Sequence, residues 1–365
     1  MLGLVGLVVA FAANSSDARL AADQDWSPFV LVTGLLLIGL VANDDGLFAA
    51  AGHQLARVSS NGVVLFLGAA IMIGSVTAVL NLDTSVAFLT PVLIYTARSR
   101  GGGEAPLLYG CLLLSNAGSL FLPGSNLTNL IVLGHVRMSG AHFFSEMWEP
   151  ALAALVVTAV VIALFERRDL RLEPSGPSEA PPATLGLGLA AVIAAAVLVL
   201  VLPSPALAVA AVGVIVIVYR LARRRESLSH VAEVIGVPVL AGLFGVAVAL
   251  GTLGRAWSGP ATMLGHLDTW ATAGVAALLS VVVNNLPAAS LLAARTPAHP
   301  LALLIGLNLG PNLLVSGSLA WILWLRAARI AGARPSLARA SRLGVAAVPI
   351  SMAAALVILS AKGIS

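Results

Sequence analysis

Charged residues are scarce in this sequence: they make up 10% of its 365 residues, whereas 59% are hydrophobic. Soluble domains carry about 25% charged residues, so this composition excludes an ordinary soluble fold. The single cysteine, Cys111, excludes an intramolecular disulfide and a thiolate metal cage within one chain. Metalloprotease, phosphate-loop and nucleophile-elbow motifs are missing, so we predict no enzyme activity, metal site or cofactor. The basic residues are scattered through short loops, which argues against a nucleic-acid partner.

The hydrophobic residues are grouped in runs that reach or approach the roughly 20 residues needed to span a lipid bilayer. We therefore predict an all-α polytopic membrane protein. The predicted simple spans are 28–51, 149–165, 184–202, 205–219, 231–253 and 343–360, with 2–13 either a short first span or a cleaved signal. Polar segments are predicted at 14–27, 53–61 and 326–342, and a cytoplasmic linker between two halves at 166–183.

Two further runs are interrupted by residues that break helices. Gly310, Pro311 and Gly317 fall inside the run 301–325, where proline removes a backbone donor and glycine gives up order. The run 106–133 is interrupted in a similar way. Broken backbone survives in hydrocarbon only where protein or a polar cavity surrounds it. Two such spans at matching places in two halves indicate the binding site of a secondary transporter.

Each half also contains two hydrophobic runs around a polar tip, at 63–97 and at 270–294. These pairs are too short for two full crossings joined by a loop in water, so we interpret them as re-entrant helical hairpins. With the N-terminus in the cytoplasm, this layout places 15 of the 20 basic residues on the cytoplasmic side, as the positive-inside rule requires. The first repeat, 1–165, and the second, 184–365, are then inverted relative to each other.

Neutral hydrogen-bonding side chains gather at the tips and breaks. As a substrate site we predict Asn81, Thr84, Asn116, Ser125, Asn126, Asn284, Asn285, Asn308, Asn312, Ser316 and Ser318. Carboxamides and hydroxyls offer donors and acceptors to a hydroxylated solute, and helix N-termini at the tips would add positive dipole ends. The alternative is that these side chains satisfy only the open backbone of the tips and breaks.

Asp83 is the only acidic residue inside a motif predicted to lie at membrane depth. An ionisable residue at that depth is a candidate for function, and we predict that it carries the coupling proton. The alternative is that Asp83 or Thr84 caps a helix beginning near Ser85. Cys111 is a weaker candidate, as a thiol ligand for a metalloid, and the alternative is a small buried hydrophobe. We expect a solvated helix end at Asp44 and Asp45, and external loops at His135, His142 and His266.

A longer pattern runs through both halves. Asn284-Asn-Leu-Pro287 is followed by Leu307-Asn-Leu-Gly-Pro-Asn-Leu-Leu-Val-Ser-Gly-Ser-Leu-Ala320 and Trp324-Leu-Arg326. Together with Asn81, Asp83 and Leu89-Thr-Pro91, this pattern resembles the arsenite permease family of the ion transporter superfamily. The first tip reads Asn-Leu-Asp-Thr where that family usually has Asn-Asp-Gly-Ala, so the acid is displaced by one position.

The resemblance implies a bacterial inner-membrane transporter that exports arsenite and antimonite, as neutral hydroxides, in exchange for protons. It also implies a homodimer, an elevator-type motion of the hairpin-bearing domain and, in some members, a soluble ATPase partner. Within transport, the alternatives are a sodium/proton antiporter or an organic-anion carrier of the same superfamily, which would use the same tips. Outside transport, the alternative is a membrane scaffold or receptor, which would need no polar breaks inside hairpin-bearing repeats.

The charge asymmetry predicts that the linker 166–183 faces the cytoplasm. A cysteine at Ser178, in a Cys111→Ala background, is expected to resist membrane-impermeant maleimide added to intact cells. The same cysteine in inside-out vesicles is the control, and it is expected to react. Gel mobility after labelling measures both. Rapid labelling in intact cells would reverse the predicted orientation.

Overall fold

The computed structural model describes residues 2–134, 136, 138–171, 186–202 and 204–363. Over these residues the chain is helical and contains no strand, which confirms the predicted all-α architecture. Five segments among them are long and apolar enough to cross a bilayer: Ser15–Asp44, Gly62–Val79, Gly140–Phe165, Leu228–Ala256 and Leu337–Ala361. Shorter apolar helices lie between these segments. The chain is a polytopic helical membrane protein.

The helices follow each other with short connections. In the first half they are α1 (Leu2–Ala13), α2 (Ser15–Asp44), α3 (Leu47–Val58), α4 (Gly62–Val79), α5 (Leu82–Ser99), α6 (Ala105–Gly118), α7 (Leu127–Leu133) and α8 (Gly140–Phe165). In the second half they are α9 (Leu187–Val201), α10 (Ala206–Ala222), α11 (Leu228–Ile235), α12 (Val237–Ala256), α13 (Gly259–His266), α14 (Thr269–Val283), α15 (Asn285–Leu292), α16 (Pro300–Leu309), α17 (Leu319–Ile330) and α18 (Leu337–Ala361). Short 3-10 turns lie at Pro123–Ser125, Asp169–Arg171 and Gly310–Leu313.

The polar segment predicted at 14–27 forms the first turns of α2. Asn14 caps α2, since its side chain accepts a hydrogen bond from the Asp17 backbone N–H at 3.2 Å. Ala18 and Ala21 in the following turns are buried, so the first part of α2 packs inside the protein. The alanines of this segment favour a helix in spite of its charged residues.

Other predicted boundaries also differ from those of the observed helices. The segment predicted as a loop at 53–61 is largely taken up by α3, and α17 and α18 extend into the one predicted at 326–342. Gly236, with a φ of +63°, divides the predicted span 231–253 into α11 and α12. Most of the predicted linker, 172–183, lies outside the described residues.

The first predicted hairpin consists of α4 and α5. The contacts of each helix with α6 give its direction. Phe66 lies against Gly110, and further along both helices Gly74 lies against Gly118, so α4 is parallel to α6. Arg100, after the end of α5, donates a hydrogen bond of 2.6 Å to the carbonyl that precedes α4, at Ser59. The two open ends of this helix pair therefore meet at one end of the structure.

Contacts between α5 and α6 have the opposite order. The hydroxyl oxygens of Ser85 and Ser115 are 3.2 Å apart, and the Thr90 hydroxyl donates to Cys111 Sγ at 3.3 Å. Residue numbers rise along one helix while they fall along the other, so α5 is antiparallel to α6. Because α4 is parallel to α6, the chain reverses direction at Asn81.

The second half repeats the packing of the first. A Cβ at Gly306 would overlap Ala273, and a Cβ at Gly310 would lie 2.5 Å from the Ala277 Cα. Residue numbers therefore rise together along α14 and α16, so the two helices are parallel. Their backbones are in direct contact at these glycines. Small residues are what permit such close helix contacts in membranes. The pair α14 and α16 thus corresponds to α4 and α6.

The two broken helices meet each other in antiparallel order. Asn312, after α16, donates to the Leu113 carbonyl at 3.1 Å, whereas Asn308 accepts from Ser119 at 2.5 Å. The breaks of both halves therefore lie side by side in the centre of the helical bundle.

The tight contact at Gly310 generates a stability prediction. We expect Gly310→Ala to destabilise the protein by about 1–3 kcal/mol, the usual effect of overpacking. Gly274 in α14 is the matched control, because no described atom lies within 4 Å of an added Cβ there. Gly274→Ala should be neutral or slightly stabilising, since alanine favours helix. Thermal unfolding in detergent measures both, and equal melting temperatures would contradict the close contact.

Candidate functional site

The tips and breaks of both halves surround one small polar cavity. Its volume is about 20 Å³, close to the space that one water molecule needs. The polar side chains that line it are Asp83, Asn126, Asn284, Asn285 and Ser318. Each tip and each break contributes at least one of them, so residues far apart in the chain converge at one point.

Four helices begin at this cavity. Asn81 is the N-cap of α5, and its Oδ1 accepts from the Thr84 N–H at 2.7 Å. Asn126 caps α7 and Asn284 caps α15 in the same manner, while Ser318 precedes α17 without a side-chain capping bond. The first turn of a helix carries partial positive charge. Four such turns together favour oxygen atoms and negative charge in the cavity.

Each tip is also tied to the break of its own half. Ser125 Oγ donates to the Ala78 carbonyl at 3.1 Å, and Ser316 Oγ donates to the Val281 carbonyl at 2.7 Å. Asn284 adds a bond of 3.2 Å from its carboxamide to the Ser316 carbonyl. Its φ of 80° lies in the left-handed region, which asparagine tolerates better than most residues. These bonds hold the tips at the cavity.

Asp83 lies in the first turn of α5 and faces the cavity. The alternative that Asp83 or Thr84 caps a helix near Ser85 is wrong, because the helix begins at Leu82 and Asn81 makes the capping bond. Within the described part of the chain, the Asp83 carboxylate has no hydrogen-bond or ion-pair partner. It is thus free to interact with a solute or a proton.

Other buried polar groups near the cavity are also unpartnered among the described residues. They are Asn81 Nδ2, Thr84 Oγ1 and Ser318 Oγ. Asn285 lines the cavity while 4% exposed, and its side chain forms no hydrogen bond to described residues. A buried polar group without a partner costs about 1–3 kcal/mol, so these groups are candidates for contact with a solute.

Asn308 lies where the break of the second half, at 310–318, meets the break of the first half, at 119–126, and we call this contact the joint. Asn308 does not line the cavity. Its Oδ1 accepts from Ser119 Oγ at 2.5 Å and from Asn126 Nδ2 at 2.7 Å. Its Nδ2 donates to Asn129 Oδ1 and to the Leu304 carbonyl, both at 2.8 Å. These four bonds use all the donors and acceptors of the carboxamide, so none is left for a solute.

Asn116 and Asn312 extend this joint. Asn116 Nδ2 donates to Asn312 Oδ1 at 2.9 Å, and both side chains are buried away from the cavity. The structure therefore separates the predicted substrate residues into two groups. One group lines the cavity and the other holds the broken helices together, and Asn126 belongs to both, since it lines the cavity and donates to Asn308. Asn129, which sequence reasoning did not select, belongs to the second group.

Cys111 is buried between α5 and α6 and does not line the cavity. Its nearest polar neighbour is the Thr90 hydroxyl, a setting that fits a small hydrophobe better than a metalloid ligand. His142 and His266 are exposed, also away from the cavity, and His135 lies outside the described residues.

Asp44 and Asp45 differ in their surroundings. Asp44 is exposed, as expected for a solvated helix end. Asp45 instead forms an ion pair with Arg220 of α10 and accepts from the Gly188 N–H of α9 at 2.7 Å. It therefore joins α2 to two other helices.

Asp25 is a buried acid that sequence reasoning missed, because it was assigned to a polar segment outside the membrane. It is 1% exposed within α2, and Ser290 Oγ of α15 donates to its Oδ2 at 3.3 Å. The neighbouring Gln24 donates to backbone carbonyls at the ends of α7 and α15, at 3.0 and 3.1 Å. The available signal was a Gln-Asp pair directly before a long apolar run.

Comparisons with known proteins agree with a transport site. A family model described as citrate transporter, CitMHS, matches residues 1–316. The arsenical pump membrane protein of Escherichia coli is 25% identical over 358 residues, which cover 88% of this chain and 83% of that protein. The protein of the same name from Yersinia enterocolitica is 26% identical, with 82% and 78% covered. The solved structure of the Alcanivorax borkumensis YdaH transporter, reported to have an unusual topology, matches with a TM-score of 0.57 at 14% identity, over 97% of this chain and 86% of that one. This last likeness concerns the fold alone.

The two groups of asparagines generate a paired prediction. Asn308→Ala leaves Asn126 Nδ2 and Asn129 Oδ1 without a partner, so we expect at least about 2 kcal/mol of lost stability. Asn285→Ala removes no hydrogen bond between described residues, so we expect a parental melting temperature with transport abolished. Thermal unfolding of purified protein and vesicle transport assays measure the two effects. An Asn308→Ala protein as stable as the parent would contradict this division.

Proposed function

The chain belongs to the citrate transporter family CitMHS, and on that premise we propose that it exports arsenite and antimonite in exchange for protons. It is a multi-pass transporter of the bacterial inner membrane, of the CitMHS and arsenical-pump type. The proposal concerns the solute and the coupling ion. Relatives named arsenical pump membrane protein, at 25% identity, support it.

The charge of the cavity is the observation that carries the proposal. Among the described residues that line it, Asp83 is the one ionisable group, and none is Arg, Lys or His. A carboxylate there repels a di- or tricarboxylate, and no cationic side chain offsets that repulsion. A trivalent metalloid hydroxide is uncharged, and each of its hydroxyl groups both donates and accepts hydrogen bonds. The cavity therefore suits a neutral hydroxylated solute.

The unpartnered groups around the cavity match such a solute. Asn285 offers a carboxamide and Ser318 a hydroxyl from the lining of the cavity, and the unpartnered Asn81 Nδ2 and Thr84 Oγ1 lie beside Leu82 and Asp83 at the start of α5. The helix N-termini add partial positive charge for the oxygen lone pairs. At about 20 Å³ the cavity is too small for the solute, so we propose an occluded state that opens when a hairpin moves. The antiparallel meeting of α6 and α16 supports inverted repeats with re-entrant hairpins for this motion.

Asp83 provides the proposed coupling. As a carboxylate, it accepts a hydrogen bond from a hydroxyl of the solute. When it takes up a proton, it loses the negative charge that strengthens this hydrogen bond, so the site binds the solute less tightly, releases it and returns with the proton instead. Solute and proton thus occupy the site alternately, as exchange requires. The resemblance to arsenite permeases extends the proposal to a homodimer and a soluble ATPase partner. Co-purification tests both associations.

An organic-anion carrier is the second candidate. It is favoured by the family description and by the four helix N-termini at the cavity, which suit carboxylate oxygens. Inside-out vesicles with an acid lumen separate the two candidates, because an exporter in exchange for protons accumulates its solute there. We expect these vesicles to take up arsenite and antimonite in the absence of sodium, and we expect no uptake of citrate. Citrate uptake in the absence of arsenite uptake would replace the first candidate with the second.

Asp83 and Asn81 provide a matched pair of variants. Asp83→Asn leaves the capping bond of Asn81 intact, so we expect parental stability with loss of proton-driven accumulation and retention of slow downhill exchange. Asn81→Ala removes the cap, and we expect a loss of roughly 1 kcal/mol of stability. Accumulation of arsenite by Asp83→Asn with an unchanged pH dependence would exclude Asp83 as the proton carrier.

A further inference from the structure

A second and larger cavity meets the polar cavity at Asp83. Its volume is about 380 Å³, and Asp83 lines both cavities. One wall is formed by α5 and α17, the helices whose N-termini lie at the site. The opposite wall is formed by α2, α11 and α12. We call this space the vestibule.

The walls of the vestibule are mostly apolar, and its ionisable groups other than Asp83 are His230, Glu233 and Arg326. Phe88 and Leu323 line one wall and Leu240 the other. Glu233 of α11 and Arg326 of α17 lie at the end remote from Asp83. An apolar wall offers a neutral solute no charge to hold it, whereas an ion entering there loses hydration.

A single ion pair closes the far end. Arg326 pairs with Glu233, with side chains 57% and 59% exposed. Among the described residues, this is the one hydrogen bond that joins α5 or α17 to α11 or α12. Separation of the walls therefore breaks no further hydrogen bond between described residues.

Helix α11 is built to move independently. It has eight residues, of which only Val231 is buried. Gly236 joins it to α12 with a φ of +63°, a conformation that glycine adopts without strain. Ser227 caps its other end, accepting from the His230 N–H at 3.2 Å. Gly236 is therefore a hinge point for α11, which packs on the core through Val231, Val234 and Ile235.

We propose that the vestibule is the cytoplasmic route to the polar cavity, and that α11 is its lid, held shut by the Arg326–Glu233 pair. The cytoplasmic side follows from the arginines that flank α11 and α17, at 220–225 and 326–342. The inference rests on the proposed function in one respect: the solute that passes through the vestibule is the solute that the protein transports. Its own test needs no solute.

A cysteine reporter tests the route. Ala87 lines the vestibule and is half-buried, so Ala87→Cys in a Cys111→Ala background places one thiol there. We expect a small membrane-impermeant maleimide to label it in inside-out vesicles and not in intact cells. Cys111 in the parent protein is the buried control and should stay unlabelled from either side. Labelling of Ala87→Cys only from outside, or from neither side, would overturn the route.

Charge variants in the same reporter background test the lid. Glu233→Gln and Arg326→Gln should each raise the labelling rate of Ala87→Cys roughly two- to fivefold, the range that an exposed ion pair supports. The exchanged pair Glu233→Arg with Arg326→Glu should restore the slower rate. Glu104→Gln is the matched control, since it removes the exposed Arg98–Glu104 pair away from the vestibule and should change nothing. Rates unaffected by the Glu233 and Arg326 variants would overturn the lid.

The two proposals fail separately. If arsenite and antimonite are not transported but the reporter behaves as expected, the solute is wrong and the lid stands. If arsenite is transported but the reporter is inaccessible from the cytoplasmic side, the route is wrong and the proposed function stands.

Discussion

A helix that breaks inside a membrane leaves backbone groups that lipid cannot satisfy, and the arrangement of the site follows from how they are satisfied. Asn129 donates to the Ser119 carbonyl at 2.7 Å in the first break, and the Trp321 indole donates to the Pro311 carbonyl at 2.8 Å in the second. Asn308 joins the two breaks. The bonds of Asn129 and Trp321 hold each break within its own half, whereas separating the two breaks would leave Ser119, Asn126, Asn129 and Asn308 without the bonds that join them, so the two breaks form one joint.

The same breaks and tips set the electrostatics of the cavity. Each helix terminus contributes roughly half a positive charge, so four termini contribute roughly two, against one negative charge if Asp83 is ionised. The protonation of one residue therefore changes a large share of the local field. A preference for a neutral or an anionic solute at this cavity therefore depends on the few side chains that line it.

Sequence was informative where the signal was local. Glycine and proline at 310 and 311 marked a break, and asparagine at 284 marked a turn, because these residues act on their own backbone. Sequence could not separate Asn285 from Asn308, since the same carboxamide lines the cavity in one case and is saturated in the other. Asp25 was missed for a related reason. Its burial depends on α15, which is remote in sequence, and polarity alone resembled a loop.

The joint between the breaks also affects how the chain is made. Asn126 and its partner Asn308 are separated by 182 residues. At roughly 5–20 residues per second, the ribosome needs roughly 10–40 s to make the partner after Asn126 has emerged. During that interval the first half is inserted with Asn126, Asn129 and Ser119 lacking their final partner. The insertion machinery or trapped water must hold these groups until the second half arrives, so biogenesis of this protein depends on completing both halves.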